Sequence, residues 1–260
     1  MRLLLIVLYF LSRLVLASDA YILDVLTQTR HSLDHLSNFQ ADVFVKRTEP
    51  EKITTVNFVF KVSGISNKLA VLDKEVKQYH LLNKRGYFLI YNHDVLDQDR
   101  DYPFYSPLDS LAEMNLVDVT KNFTLQLAQE TDDSILIHML PIISEGQSID
   151  AFMAQPINRL SLTILKPHYL LSKVETYENY ELTPASEISF SYDETKNPQL
   201  KKQVFVNKLI PNTVPYVSYI RSTTRYKDGQ ETQTYLIETW YRDFDLNVDF
   251  LEDVFDEEAY

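Results

Sequence analysis

Apolar positions along this chain repeat at two different periods. Between Tyr21 and Ser37, the residues Ile22, Val25, Leu26, Thr29, Leu33 and Leu36 recur at three- and four-residue spacing. That spacing predicts a helix with a single buried stripe. Past Asn38 the period drops to two. Phe39, Ala41, Val43 and Val45 alternate with Gln40, Asp42 and Lys46, and only Phe44 interrupts the polar side. Such alternation predicts a strand with one face on a core.

Strand then follows strand. Residues 53–63 and 68–73 are β-rich runs divided by the turn-forming stretch Ser63-Gly64-Ile65-Ser66-Asn67. Residues 76–83 and 86–92 read as a hairpin, because Asn83-Lys84-Arg85-Gly86 supplies residues that tolerate positive φ. Ser106 and Pro107 form an N-cap pair for a short helix running to about Met114. Further hairpins are expected at 122–130 with 134–140, and at 159–165 with 170–177. A long one is expected at 216–226 with 231–242, across the turn Lys227-Asp228-Gly229-Gln230. Ile188–Tyr192 reads as a short strand. In the less regular stretch from Asp193 to Pro215, Pro198, Pro211 and Pro215 argue against a central strand. From Asp243 onward Phe244, Leu246, Val248 and Phe250 alternate with polar residues, predicting a half-buried strand. Short turns and few crossover helices favour an antiparallel meander. The first helix then buries its stripe on the sheet.

The N-terminus changes the picture of where this sheet works. Arg2 precedes an apolar run from Leu3 to Leu11, and Val15-Leu16-Ala17 offers a cleavage site. This is the layout of a signal peptide over residues 1–17, with residues 18–260 as the mature domain. The run is far shorter than the ~20 apolar residues of a spanning helix. Removing it takes away Arg2 and Arg13, so 23 basic side chains face 37 acidic ones, a net charge of −14. An acidic surface of that kind argues against a nucleic-acid partner. With no Cys, disulfides, thiol nucleophiles and thiolate metal sites are excluded. The four glycines, Gly64, Gly86, Gly146 and Gly229, are scattered, which excludes phosphate-cradling loops.

Candidate chemistry is thin. His31 and His35 stand four apart, but on the helix face opposite the apolar stripe, and Ser32 occupies the place where a zincin has Glu. Asp243, Asp245, Asn247 and Asp249 open like a calcium loop, yet Val248 and Val254 stand where that loop needs Gly and Glu. No nucleophile elbow occurs, and His80, His93, His138 and His168 are scattered singly. Asn122-Phe123-Thr124 fits the N-glycosylation pattern but overlaps a predicted strand. The expectation is a protein with no catalytic residues, no metal and no cofactor. Its aromatic content is high, with 17 Tyr and 14 Phe against one Trp.

Several segments resemble one family. Leu33-Asp34-His35-Leu36-Ser37-Asn38-Phe39-Gln40-Ala41-Asp42-Val43 is similar to the helix and Phe-x-Ala-x strand that open periplasmic lipoprotein carriers of the LolA/LolB type. Leu82-Asn83-Lys84-Arg85-Gly86-Tyr87-Phe88-Leu89-Ile90-Tyr91-Asn92 looks like their Gly-aromatic-x-x-Tyr hairpin. Asn197-Pro198-Gln199-Leu200-Lys201-Lys202-Gln203-Val204-Phe205 resembles their closing segment. The resemblance spans most of residues 21–210. Those carriers have Arg-Pro after the second strand, where this chain has Val62-Ser63-Gly64-Ile65, so no lid-latching residue is carried over.

What the resemblance implies is a mainly β fold with a few helices, an α+β arrangement. A curved antiparallel half-barrel would carry an N-terminal helix and short helices lidding an apolar cavity. The cavity would take acyl chains, and the side chains expected to line it are Phe39, Val43, Phe58, Phe60, Phe88 and Ile90. The expected role is a monomeric, non-enzymatic periplasmic carrier or chaperone for lipoprotein acyl chains or another lipid. A second reading is a lipid- or lipoprotein-sensing regulatory module that binds a membrane-bound partner protein. A hydrolase of unassigned type stands third. Residues 216–260 either complete the sheet or form a C-terminal extension that serves as a partner surface.

Overall fold

The computed structural model describes residues 19–32, 38–64, 66–100, 103, 116–142, 157–178, 181–196, 213–228, 231–246 and 248–260. The signal segment, the expected helix from Pro107 to Met114 and the segment from Asn197 to Phe205 lie outside these residues, as do Leu33, His35 and Leu36 of the first helix.

The chain gathers into two compact units, one of residues 1–32 and 114–187, the other of 33–113 and 188–260. In the smaller unit, helix α1 (residues 19–32) is followed in sequence by α2 (Leu116–Asn122). The strands β7 (Phe123–Glu130), β8 (Ser134–Pro141), β9 (Ile157–Leu165) and β10 (Leu170–Glu178) come next. They pair antiparallel in chain order. The three-and-four stripe of α1 is buried as its spacing requires, with Ile22, Val25, Leu26 and Thr29 enclosed. Both ends of α1 are tied to this sheet. Tyr21 Oη donates to Glu130 Oε1 (2.8 Å), and Ser32 Oγ donates to the Tyr169 carbonyl (3.2 Å). The sheet's apolar face reads as cross-strand rows, such as Ile135 opposite Ile164 and Ile164 opposite Leu171, all fully buried. On its other face His138 lies opposite Ser161, whose Oγ is 2.9 Å from His138 Nδ1.

The larger unit contains β1 (Asn38–Thr48), β2 (Ile53–Ser63), β3 (Asn67–Asp73), β4 (Gln78–Asn83), β5 (Gly86–Tyr91) and β6 (Asp94–Gln98). It also holds β12 (Thr213–Asp228) and β13 (Glu231–Leu246). Their hydrogen-bonded order is β6-β5-β4-β3-β2-β1-β13-β12. Strand β11 (Ser186–Lys196) carries the boundary between the units. The class is the expected one, antiparallel and helix-poor, and the sheet is open rather than closed into a barrel. Glycine matters at two turns: Gly64 (φ 67°) between β2 and β3, and Gly86 (φ 148°) at the head of β5.

Three features depart from the sequence expectation. Strand β13 ends at Leu246 instead of continuing through Phe250, and the following chain forms two 3₁₀ turns, Glu252–Phe255 and Glu257–Ala259. Pro215 lies inside β12, in the stretch before the β12–β13 register begins at Tyr219 opposite Trp240, so it withholds no donor from that register. Strand β6, which lacks alternation in its sequence Asp-Val-Leu-Asp-Gln, pairs with β5 at the edge. Residues 213–246 are integral to the sheet, because β13 pairs with β1 from Phe39 opposite Leu246 to Thr48 opposite Leu236.

Candidate ligand-binding face

Directly opposed residues of an antiparallel pair share a face, so the register assigns every side chain of the larger unit to one side of its sheet. Phe39 stands opposite Val62, Ala41 opposite Phe60 and Val43 opposite Phe58. These six belong to one face and all are buried. Phe39 and Phe60 meet edge to face at 5.9 Å, as do Phe58 and Phe60. Phe244 of β13, two residues from Leu246 opposite Phe39, falls on the same side and stacks on Phe39 at 4.7 Å. The register shift between Gln40 and Asp42 brings Tyr241, opposite Val43, there as well. Tyr216 lies 4.8 Å and Tyr241 6.3 Å from Phe244. The result is a connected field of rings drawn from β1, β2, β12 and β13, in the offset and edge-on geometries that aromatic quadrupoles favour.

Of the six side chains expected to line a cavity, Phe39, Val43, Phe58 and Phe60 are gathered on this face. Phe88 and Ile90 are not. Phe88 lies opposite Leu81, Ile90 opposite Tyr79, Leu81 opposite Leu69 and Tyr79 opposite Val71, which places them on the other face. The reason is register: the parity of each strand relative to its neighbours is fixed by pairing, not by the pattern within the strand. Tyr216, Tyr241 and Phe244 were missed as members of the ring field. Their alternation was legible in the sequence, but the pairing of β13 with β1 was not.

The ring face becomes polar toward β3–β5. Lys68 lies opposite Val62 and Leu82, and Leu82 opposite Tyr87. Lys68 is fully enclosed. His80 follows Ala70 in the next row. Burial, helped by the Arg100 charge, pushes the His80 imidazole down to about 4. Burial holds the Tyr87 phenol above its ordinary value, opposed by Arg100. The neutral form of His80 is thereby favoured near pH 7; its Nδ1 is hydrogen-bonded to Tyr87 Oη, and the two rings stack at 5.7 Å.

The opposite face of β3–β5 is sealed by the chain itself. Leu69, Val71, Leu81 and Ile90 form a buried cluster against which Val59, Tyr79, Phe88, Val254, Phe255 and Tyr260 pack. Asn83 Nδ2 donates to the Phe255 carbonyl (3.1 Å) and to Glu257 Oε2 (2.7 Å). Arg85 pairs with Glu257, and His93 Nδ1 lies 2.7 Å from the Tyr260 carbonyl. The Tyr79 and Tyr260 rings meet at 4.7 Å, and burial pushes the Tyr260 phenol up to about 12. Burial opposes the charged form of Glu257, but its backbone bond and the Arg85 and Asn83 bonds prevail and hold the carboxyl below its usual range. His31 is exposed. Among the described residues no three His, Asp or Glu side chains are grouped as metal ligands would be.

The open, helix-poor antiparallel sheet is of the LolA-like fold class. No family model and no curated protein matches the sequence, but solved structures do match the fold. A LolA superfamily protein from Nitrosomonas europaea superposes with a TM-score of 0.51 at 14% identity, over 91% of this chain and 98% of its own. An outer membrane lipoprotein-sorting protein domain from Vibrio parahaemolyticus gives 0.52 at 11% identity, over 91% and 97%. A DUF1329 family protein from Desulfovibrio piger gives 0.51 at 14%, over 91% and 96%. At these identities the likeness is one of fold.

Proposed function

We propose that this protein is a non-enzymatic, monomeric carrier that holds an acyl chain of a lipoprotein or another lipid against the ring face and moves it through the periplasm. The observation that carries this reading is the connected field of Phe39, Phe58, Phe60 and Phe244, extended by Tyr216 and Tyr241. An acyl chain in water costs about 0.8 kcal/mol per exposed methylene. A wall of aromatic and aliphatic side chains offsets that cost, and rings offer contact area with few torsions to immobilise. Phe39, Val43, Phe58 and Phe60 are assigned to the acyl contact. Phe88 and Ile90 are assigned to the sealed face. The fold shared with the Vibrio lipoprotein-sorting domain agrees with this reading. The signal pattern expected over residues 1–17 supports the periplasmic part of this reading.

Titration of the mature protein with a fluorescent fatty acid tests the proposal. Saturable uptake of about one molecule per chain, with thermal stability rising as ligand is added, supports a carrier. Absence of uptake, with an unfolding transition indifferent to the fatty acid, rejects it.

A further inference from the structure

The side of the larger unit's sheet away from the ring field carries a second aromatic feature. Phe44 on β1 faces Trp240 on β13, and Trp240 faces Tyr219 on β12. The ring centroids are 5.2 and 5.1 Å apart. All three side chains stay partly exposed, so the ladder is not sealed as the Leu81 cluster is. At its Phe44 end the ladder opens into a recess of ≈ 470 Å³ whose lining is part apolar, including Val43, Phe58 and Val71, and part polar, with Asp42, Asn57, Lys74, Arg242 and Asp243 exposed. Asp42 stands opposite Arg242 across the β1–β13 pair. Among the described residues neither makes an ion pair or a side-chain hydrogen bond.

The chemistry of this recess selects its ligand. Two carboxylates and two cations cancel, so a strongly charged ligand gains nothing from the local field. The open, charged rim is a poor place for an acyl chain, which needs enclosure in apolar surroundings. The recess is also not the broad apolar patch of a protein interface. What it offers, beside its apolar wall, is donors and acceptors of every type, carboxylate, amide, guanidinium and ammonium, next to partly exposed rings whose negative quadrupole attracts polarised C–H groups. We infer that the ladder and recess bind a neutral oligosaccharide. One sugar face lies on Trp240 and Phe44, and ring hydroxyls bond to Asp42, Asn57 and Arg242. The ladder is on the face opposite the ring field, the recess also touches Val43 and Phe58, and the site does not rest on the acyl reading.

The chain has a single Trp, so emission from Trp240 reports on this site alone. The mature protein is titrated with maltohexaose, cellohexaose and chitohexaose, followed by Trp240 fluorescence and by calorimetry. At least one of the three is expected to shift the emission saturably at about one molecule per chain. Arg242→Ala and Asn57→Ala each weaken that binding by up to ~10-fold. Both variants keep the circular dichroism, the thermal midpoint and the fatty-acid uptake of the parent. Three outcomes overturn the inference. One is no heat and no emission change with any of the three sugars at millimolar concentration. Another is a response that survives both substitutions. The third is an emission change produced by fatty acid or a basic peptide but not by sugar.

Discussion

Two faces of one sheet use similar residues for different ends. On β3–β5 the side bearing Leu69, Leu81 and Ile90 is closed by Val254, Phe255 and Tyr260 from the end of the described chain. Hydrogen bonds from Asn83 lock that closure. On β1, β2 and β13 the other side gathers Phe39, Phe60 and Phe244 into touching rings. Both faces are buried and apolar, so burial alone does not separate a structural core from a ligand wall. The difference lies in composition and partners. One is aliphatic and capped by a polar-latched segment of the same unit. The other is aromatic and passes into adjacent rows containing Lys68 and His80.

Substitutions that break this comparison have graded effects. Leu81→Ala, at a site with 0% exposure, is expected to cost ~2–5 kcal/mol of stability in urea unfolding. Fatty-acid stoichiometry of the protein that remains folded stays unchanged. If Leu81→Ala abolishes uptake by folded molecules, the assignment of faces is reversed. Asn83→Ala removes two hydrogen bonds to the capping segment and is expected to cost about 1–2 kcal/mol. Faster hydrogen exchange in residues 248–260 would accompany it. Phe60→Leu keeps most of the volume and is expected to cost less than ~1.5 kcal/mol, yet to weaken acyl binding measurably in the same titration.

His80 gives the pH dependence its sign. Its folded pKa of about 4 lies below the ordinary 6.5, so the unfolded chain takes up the proton first as pH falls. Its contribution to stability is intact above about 6.5 and is lost progressively toward about 4. Unfolding midpoints at pH 7 and pH 4.5 should therefore converge in His80→Gln relative to the parent. Equal separation in both proteins would contradict the burial of a neutral imidazole. The smallest effect is expected of His31→Ala, an exposed helix position, within about 0.5 kcal/mol of the parent.

Local pattern carried much of the architecture. The α1 stripe, the strand Ile53–Ser63, the hairpin turned at Asn83–Gly86 and the hairpin of residues 122–140 were readable, because spacing and turn chemistry are set by neighbours in sequence. The site was readable only in part. Phe39, Val43, Phe58 and Phe60 share a face because β1 and β2 are joined by a short turn in simple register. Phe88 and Ile90 fell on the other side because their parity depends on three successive registers, β2 to β3 to β4 to β5. Phe244 was hidden for a different reason. It reaches Phe39 through a pairing between strands about 200 residues apart, and Tyr241 joins the face through the register shift there; no local signal encodes either. Alternation runs on through Phe250, past the end of β13 at Leu246, and the 3₁₀ turns beyond it supply Val254 and Phe255, with Tyr260 after them, as a cap.

The most direct test of the carrier account maps where an acyl chain lies. A photoreactive fatty acid is bound to the mature protein, irradiated and located by peptide mass spectrometry. The account predicts labels within residues 39–43 and 58–62 and around Phe244, reduced in Phe60→Leu, with Leu69, Leu81, Ile90 and residues 248–260 unlabelled. Labels concentrated on Leu81, Ile90 or the capping segment, or no saturable labelling at all, would contradict it.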